Sequence, residues 1–302
     1  MSLLRACPVC GTPSDQARIF QEESIDEGRI SGFTYASRKE PEYMCHQMVR
    51  CPVCDLVYVD KPPPQEELAT AYHMADYDSS EEAADAAQAY IKAMAPVLSK
   101  LKSRHRVLEI GSGTGVLLEL LKAQGFAELV GIEPSSAAIA AAPAHRRQWL
   151  RAGIFREEDF EPGSFDMICC FMTMEHVQDP LLTARGAARL LRPGGAFVTV
   201  THDYRSLVNR LMGKKSPIID IEHMQLFSQA SIRGLFERCG FADIAVRPFA
   251  NRYALSYWMR LAPLPAGFKQ GVRGVTARLG VDRLKLSLNV GNTIASGFVT
   301  ER

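Results

Sequence analysis

Cys7-Pro8-Val9-Cys10-Gly11 and Cys51-Pro52-Val53-Cys54-Asp55 are near-copies of one motif. Zinc takes four soft or borderline ligands in a tetrahedron, and one Cys-x-x-Cys loop places two thiolates on one ion. The two loops therefore supply a complete set, Cys7, Cys10, Cys51 and Cys54, for a structural Zn2+. Four thiolates leave no open coordination position, which assigns this metal to the fold and not to catalysis. The stretch between the pairs is longer than the ~15–20 residues of a typical four-cysteine site, but closure cost grows slowly with loop length. A thioredoxin-like redox pair would need a strand–helix context and no second pair. Cys45-His46 is an alternative source of one ligand. Cys169, Cys170 and Cys239 read as small core hydrophobes.

A second constellation starts at Val107-Leu108-Glu109-Ile110-Gly111-Ser112-Gly113-Thr114-Gly115, a strand running into a helix through a glycine loop. The G-x-G-x-G spacing differs from the G-x-G-x-x-G of a dinucleotide site. Glu109, two residues before the first glycine, would repel a pyrophosphate but suits an ammonium group. Glu133, in Gly131-Ile132-Glu133-Pro134, stands where a carboxylate can accept hydrogen bonds from both hydroxyls of a ribose. Ribose plus amino acid without phosphate points to S-adenosylmethionine. Methyl transfer then needs a nucleophile held against the methyl group and, for a hydroxyl, a base to take its proton. Histidine is the natural base near neutrality. His176 and His223 are the candidates, and Tyr72, His73 and Tyr77 could form a lid over the cofactor.

These residues need a scaffold. Short apolar runs at 106–110, 129–132, 148–152, 166–170, 196–201 and 244–248 alternate with helical patterns at 114–124, 135–142, 180–191 and 228–239. Such alternation predicts a doubly wound α/β sheet, with ligands at the carboxyl ends of its strands. Arg192-Pro193-Gly194-Gly195 reads as a turn, and Pro62-Pro63-Pro64 as a stiff spacer between domains. The expected division is a zinc ribbon over 1–61, a proline linker and helical lid over 62–103, and a catalytic core over 104–302. Within 65–103 one apolar stripe predicts a helix that Pro96 kinks or splits. Residues 251–286 carry Tyr253, Trp258, Leu261, Leu264, Phe268, Val272, Leu279 and Leu284 among basic residues. They predict inserted helices, a lid or a dimer face with a weak membrane-surface contact as the alternative, before a last strand near 293–300.

Composition narrows the partners. Lys+Arg 35 against Asp+Glu 34 gives a net charge of +1 over 302 residues, unlike a basic nucleic-acid binder. No run approaches the ~18 apolar residues of a membrane span, and Met1-Ser2-Leu3-Leu4-Arg5 has no signal-peptide core. The expectation is a cytoplasmic enzyme acting on a small molecule, as a monomer or a homodimer.

Over residues 105–250 the sequence resembles the class I S-adenosylmethionine-dependent methyltransferases. The resemblance rests on the glycine loop, Gly131-Ile132-Glu133-Pro134-Ser135, Ser164-Phe165-Asp166-Met167-Ile168, Glu175-His176-Val177 with Asp179-Pro180, and Leu191-Arg192-Pro193-Gly194-Gly195. The amino end is similar to small-molecule methyltransferases led by a zinc ribbon. The resemblance implies that Gly111, Gly113 and Gly115 line the methionine portion of the cofactor and that Glu133 holds the ribose. Gly153-Ile154-Phe155 would flank adenine, with Ile154 where many relatives have an acidic residue. Ser112, Pro134 and Phe171 complete the expected cofactor contacts. Quinone-biosynthesis and small-RNA 2′-O-methyltransferases hold a divalent ion with Glu-x-x-Glu-His and a further histidine; here Met172 stands where the first Glu would be. The activity implied is methyl transfer to a small molecule, on oxygen. C-methylation of a nucleotide sugar and modification of a macromolecule docked on the ribbon are the alternatives. The first is typical of longer relatives, and the second is disfavoured by the lack of a dense Lys/Arg stripe in 1–60.

Overall fold

The computed structural model describes residues 4–32, 34–35, 42–75, 80–262, 267, 271, 276, 278 and 280–300. Three short strands come first, β1 (Arg18–Gln21), β2 (Met48–Arg50) and β3 (Val57–Val59), followed by α1 (Gln65–Met74) and α2 (Ser80–Lys100). The alternating region holds β4 (Arg106–Ile110), α3 (Val116–Ala123), β5 (Glu128–Glu133), α4 (Ser136–Ala141), α5 (Ala144–Arg147), β6 (Leu150–Ala152), β7 (Phe165–Phe171), α6 (Pro180–Leu190) and β8 (Leu191–His202). Then come α7 (Leu207–Met212), β9 (Gln225–Leu226), α8 (Gln229–Arg238), β10 (Ala242–Pro248), β11 (Asn251–Ala254), α9 (Leu255–Leu261), β12 (Lys285–Leu288) and β13 (Asn292–Phe298).

Seven strands form the central sheet in the order β10-β13-β8-β7-β4-β5-β6. β4 to β8 run parallel, and β13 lies antiparallel between β8 and β10. From β4 the chain proceeds one way to β5 and β6, then crosses to β7 and β8, so the order reverses between β4 and β7. All seven residues of β7 are buried, as a strand covered on both faces requires. Asp166 anchors its start, its Oδ2 accepting from the backbone N–H groups of His105 and Arg106 at 2.9 and 2.7 Å. Helices α6 and α8 begin at side-chain caps: Asp179 accepts from Leu182 N at 2.8 Å ahead of α6, and Ser228 forms a capping box with Ser231 ahead of α8.

The structure differs from the sequence expectations in four places. Arg192-Pro193-Gly194-Gly195 is not a free turn but part of β8, because Gly194 N donates to Val299 O and Val299 N to Gly195 O, at 2.8 and 2.9 Å. Pro96 neither ends nor divides α2, which continues to Lys100 while Tyr90, Met94, Val97 and Leu98 pack into the core. In 251–286 the structure has a β11–β12 hairpin around α9 where the sequence suggested helices alone; Asn251-Arg252-Tyr253-Ala254 has the alternating burial of a strand. Tyr77, Leu264, Phe268, Val272 and Leu279 lie outside the described residues.

The fourth difference concerns residues 1–61. β1, β2 and β3 form a sheet whose fourth strand, β9, comes from the far end of the chain, with Val57 opposite Leu226 and Tyr58 opposite Gln225. Cys7, Val9, Val49, Cys51, Leu56 and Tyr58 belong to the same buried cluster as Leu108 and Ile168 of the central sheet. The proline run leads into α1 without interrupting this shared core.

Candidate active site

A cavity of about 820 Å³ opens at the carboxyl ends of β4, β5, β7 and β8, at the reversal of strand order. One side is built from the glycine loop. Glu109, Gly111, Ser112 and Gly113 line it, with Glu133 and Pro134 from the end of β5, Ile154 and Phe155 after β6, and Phe171 at the end of β7. Gly115 is not on the wall; it caps α3 in the left-handed region at φ 72°. Gly111 has a different reason to be glycine. Its φ is 75°, and a Cβ there would lie 2.1 Å from Thr173 Oγ1, so it lets two loops pass. A Cβ on Gly113 would meet nothing within 4 Å.

Two buried carboxyls dominate this side. Glu133 accepts from Gly113 N at 2.7 Å and Ser135 N at 2.8 Å, one bond on each oxygen. Desolvation nonetheless raises its pKa above the usual carboxylate range. Burial, followed by the charge of Glu133, pushes Glu109 well above that range. Glu109 Oε2 and Ser112 Oγ are buried with no hydrogen-bond partner among the described residues. Uncompensated burial of this kind is costly unless a ligand supplies the missing bonds.

The opposite side is assembled from distant segments. His176 follows β7, His202 ends β8, and Glu222 and His223 precede β9. The rings of His176 and His223 are 4.7 Å apart, and those of His202 and His223 5.9 Å. Ligand atoms of His176, Glu222 and His223 all lie within 4.8 Å of one another. His223 Nδ1 is 2.7 Å from Ile218 O. A carbonyl only accepts, so Nδ1 carries the proton and Nε2 a lone pair. Tyr72, from α1, donates its hydroxyl to Glu222 O at 3.0 Å, so its oxygen accepts from His176 Nδ1, also at 3.0 Å. His176 too is left with Nε2 as its basic atom. Desolvation lowers the pKa of both rings, opposed at His176 by the charges of Glu175 and Asp220 and at His223 by those of Glu222 and Glu175. Both imidazoles are therefore neutral at pH 7.

The sequence singled out Glu175 only within the Glu175-His176 motif, and did not single out Glu222 or His202 for this side. Glu175 is fully buried; it accepts from His202 N at 2.7 Å and lies 3.4 Å from the His202 ring. Tyr35, Tyr253, Tyr257 and Trp258 add an aromatic wall. The one available signal was the pairing of Glu222 with His223 in the chain. His73, expected in the lid, is exposed and contacts Pro134 O at 3.2 Å.

The four sequence-predicted cysteines converge, their sulfurs all within 4.8 Å of one another. Cys7 and Cys54 are 3.4 Å apart, and Cys10 and Cys51 3.5 Å. A tetrahedral zinc with Zn–S of about 2.3 Å needs sulfurs about 3.8 Å apart, so the donor set fits that ion. The hydrogen bond between Cys54 and Cys7 lowers the pKa of the Cys7 thiol and raises that of Cys54, so the two share one proton in the absence of a metal. Cys45 stands apart from this group, buried against Glu22 O at 3.7 Å, with its thiol pushed up to about 11 by desolvation.

An open, mostly parallel sheet with a glycine loop after β4, an acidic end to β5 and a cavity at the switch point define a class I S-adenosylmethionine-dependent methyltransferase domain. Residues 79–246 match the methyltransferase-domain family, and the chain belongs to it as an S-adenosylmethionine-dependent methyltransferase. A ubiquinone biosynthesis O-methyltransferase of Ralstonia nicotianae is 27% identical over 189 residues, 56% of this chain and 76% of that protein. One of Pseudomonas aeruginosa is 36% identical over 96 residues, 30% of this chain and 41% of that protein. The chain thus spans three quarters of the first relative and less than half of the second. Among solved structures, an Archaeoglobus fulgidus S-adenosylmethionine-dependent methyltransferase aligns with TM-score 0.49 and 15% identity, over 78% of this chain and 100% of that chain. Among the described residues no helix is long and apolar enough to cross a membrane.

Proposed function

We propose that the chain transfers a methyl group from S-adenosylmethionine to a hydroxyl of a small molecule in a biosynthetic pathway, with His176 and His223 as the basic groups. The observation that carries this reading is the pair of neutral imidazoles, each turned by its hydrogen bond so that Nε2 is the free base, in the cavity that holds the glycine loop. The sulfonium cofactor, when bound, supplies an activated methyl carbon. Glu109 and Ser112, buried without partners, are the groups to meet its ammonium; Glu133 has lone pairs left for the ribose hydroxyls, and Ile154 and Phe155 for the adenine. Around the acceptor, Tyr72 orients His176, Ile218 orients His223, and the aromatic wall excludes water. Four thiolates hold a structural zinc at Cys7, Cys10, Cys51 and Cys54. The names of the relatives support oxygen as the accepting atom.

The test is methyl transfer from radiolabelled donor to a panel of hydroxylated and amino aromatics. His176→Gln and His223→Gln should each lower kcat by about 10²–10⁴, the usual worth of a general base, with S-adenosylhomocysteine affinity unchanged. Full activity in both variants, or transfer to the amines alone, would sink the reading.

A second reading has one specific observation behind it. Glu222 joins His176 and His223 as a third donor within 4.8 Å, offering the carboxylate that Met172 fails to provide. Two imidazoles and one carboxylate suit a divalent cation that would hold and polarise an acceptor oxygen. Stimulation of activity by Mg2+ or Mn2+, abolished in Glu222→Gln, would favour it over the metal-free base.

A further inference from the structure

Arg5 lies two residues before the first cysteine, far in sequence from either histidine. Its side chain is half-buried, its guanidinium sits over the Tyr58 ring at 5.6 Å, and desolvation brings its pKa down to about 10, still charged at neutral pH. The donors of this fork go to three carbonyls on three separate segments. Nε donates to Val59 O at 2.6 Å, Nη1 to Gln178 O at 2.8 Å and Nη2 to Met224 O at 2.9 Å. Val59 belongs to the cysteine-bearing sheet, Gln178 stands two residues after His176, and Met224 is the residue after His223.

We propose that Arg5 is a positioning residue, bridging the loop that carries His176 to the segment that carries His223 and registering both against the cysteine module. The inference rests on the reading of the two histidines given above. Neighbouring bonds run along the same seam. Met224 N donates to Glu175 O at 2.8 Å, Val59 N to Met224 O at 2.9 Å, and Gln225 Nε2 to Met174 O and Val177 O at 2.5 and 2.7 Å. Arg5 is the member that reaches all three segments with one rigid group. A planar guanidinium fixes the separation of its acceptors, whereas a lysine ammonium is a point donor that cannot span three of them. The module has other ties to the core that touch neither histidine segment, such as Arg205 to the Asp55 carboxylate and Tyr204 to Asp55 O at 2.9 Å. These provide a control. A bond that only holds the module in place should behave like Arg205; one that sets the imidazoles should not.

The experiment uses the full chain saturated with S-adenosylhomocysteine and labelled with 15N in its seven histidine rings. Spectra at one fixed pH report which ring nitrogen carries the proton, and His176→Gln and His223→Gln each remove one set of signals for assignment. Wild-type protein should show both rings as Nδ1–H tautomers. Arg5→Met should shift both sets toward mixed tautomers, while Arg205→Met leaves them as in wild type. Both variants should keep the ligand dissociation constant within about twofold, because the glycine loop is remote and shares no partner with either residue. Guanidinium ion, added below its denaturing range, should restore the Arg5→Met spectrum. If Arg5→Met folds too poorly, Arg5→Lys carries the test with the same expectation of mixed tautomers. Unchanged His176 and His223 signals in the Arg5 variant, or an equal shift in Arg205→Met, overturn the proposal. Failure of the histidine reading looks different: His→Gln variants would then retain methyl transfer whatever the Arg5 spectra show.

Discussion

The two sides of the cavity are built in opposite ways. The side with the glycine loop comes from β4, β5 and the turns after them, and holds two buried carboxyls whose pKa values desolvation raises. The side with the histidines comes from segments spread from Tyr35 to Trp258, is lined by side chains, and holds imidazoles that burial keeps unprotonated. A sulfonium amino acid is one fixed shape, so a local loop suffices to receive it. On the proposed function an acceptor's hydroxyl meets bases from segments far apart in the chain, and the pairing of β9 with β3 ties the His223 segment to the cysteine sheet.

The sharpest way to separate the two sides is to break the cysteine cluster. Structural zinc in small cysteine sites contributes on the order of 10 kcal/mol of binding free energy to its fold. Cys51→Ser should lower the zinc content below one per chain by elemental analysis and cut the melting temperature, with methyl transfer lost. Through β3 and β9 the damage reaches His223, while β4 and β5 share no strand pairing with the cysteine sheet. Binding of S-adenosylhomocysteine should therefore survive below the new melting point. Loss of that binding in folded variant protein would show that the two sides are one unit.

The same contrast explains what could be read from the sequence. The glycine loop, Glu133 and the strands at 106–110 and 165–171 are local patterns, since a strand followed by a glycine turn and an acidic strand end is written in consecutive residues. The cysteines were legible because metal chemistry demands repeated spacing. Glu222 and His202 were not, because nothing in their neighbours announces that three chain segments meet there. Gly111 was read as a cofactor glycine, yet its tightest demand is the Thr173 side chain, a contact from the loop after β7. The Pro62-Pro63-Pro64 spacer suggested a boundary, and only the pairing of β3 with β9 reveals the shared core behind it.

A smaller effect should appear in acid. His176 and His223 have pKa values lowered in the folded chain, so between about 6.5, the unfolded value, and the folded values the unfolded state binds more protons. Stability then rises with pH across that window, is complete above it, and is lost as the pH falls through it. Urea melts at falling pH should show wild-type stability declining below about 6.5, with the decline reduced in the His176→Gln, His223→Gln double variant. An identical decline would mean that these rings are solvated in the fold and that the histidine side is open.

The smallest effect belongs to the other side and has the opposite sign. Glu109 is held protonated by desolvation and by Glu133, so its folded pKa lies above its unfolded one. Its contribution to stability is present in acid and lost as the pH rises toward that folded value. A cationic ammonium placed against its bare Oε2 favours the carboxylate instead, so cofactor binding should expel a proton from Glu109. Calorimetric titrations of S-adenosylhomocysteine in two buffers of different ionisation heat measure that proton directly. Wild-type protein should release a fraction of a proton per site near neutral pH, and Glu109→Gln, which cannot ionise, should release less while the histidine-side proton balance stays the same. Equal release from both proteins would place the ammonium elsewhere and remove Glu109 from the cofactor side, leaving the backbone of the loop and Glu133 to define it.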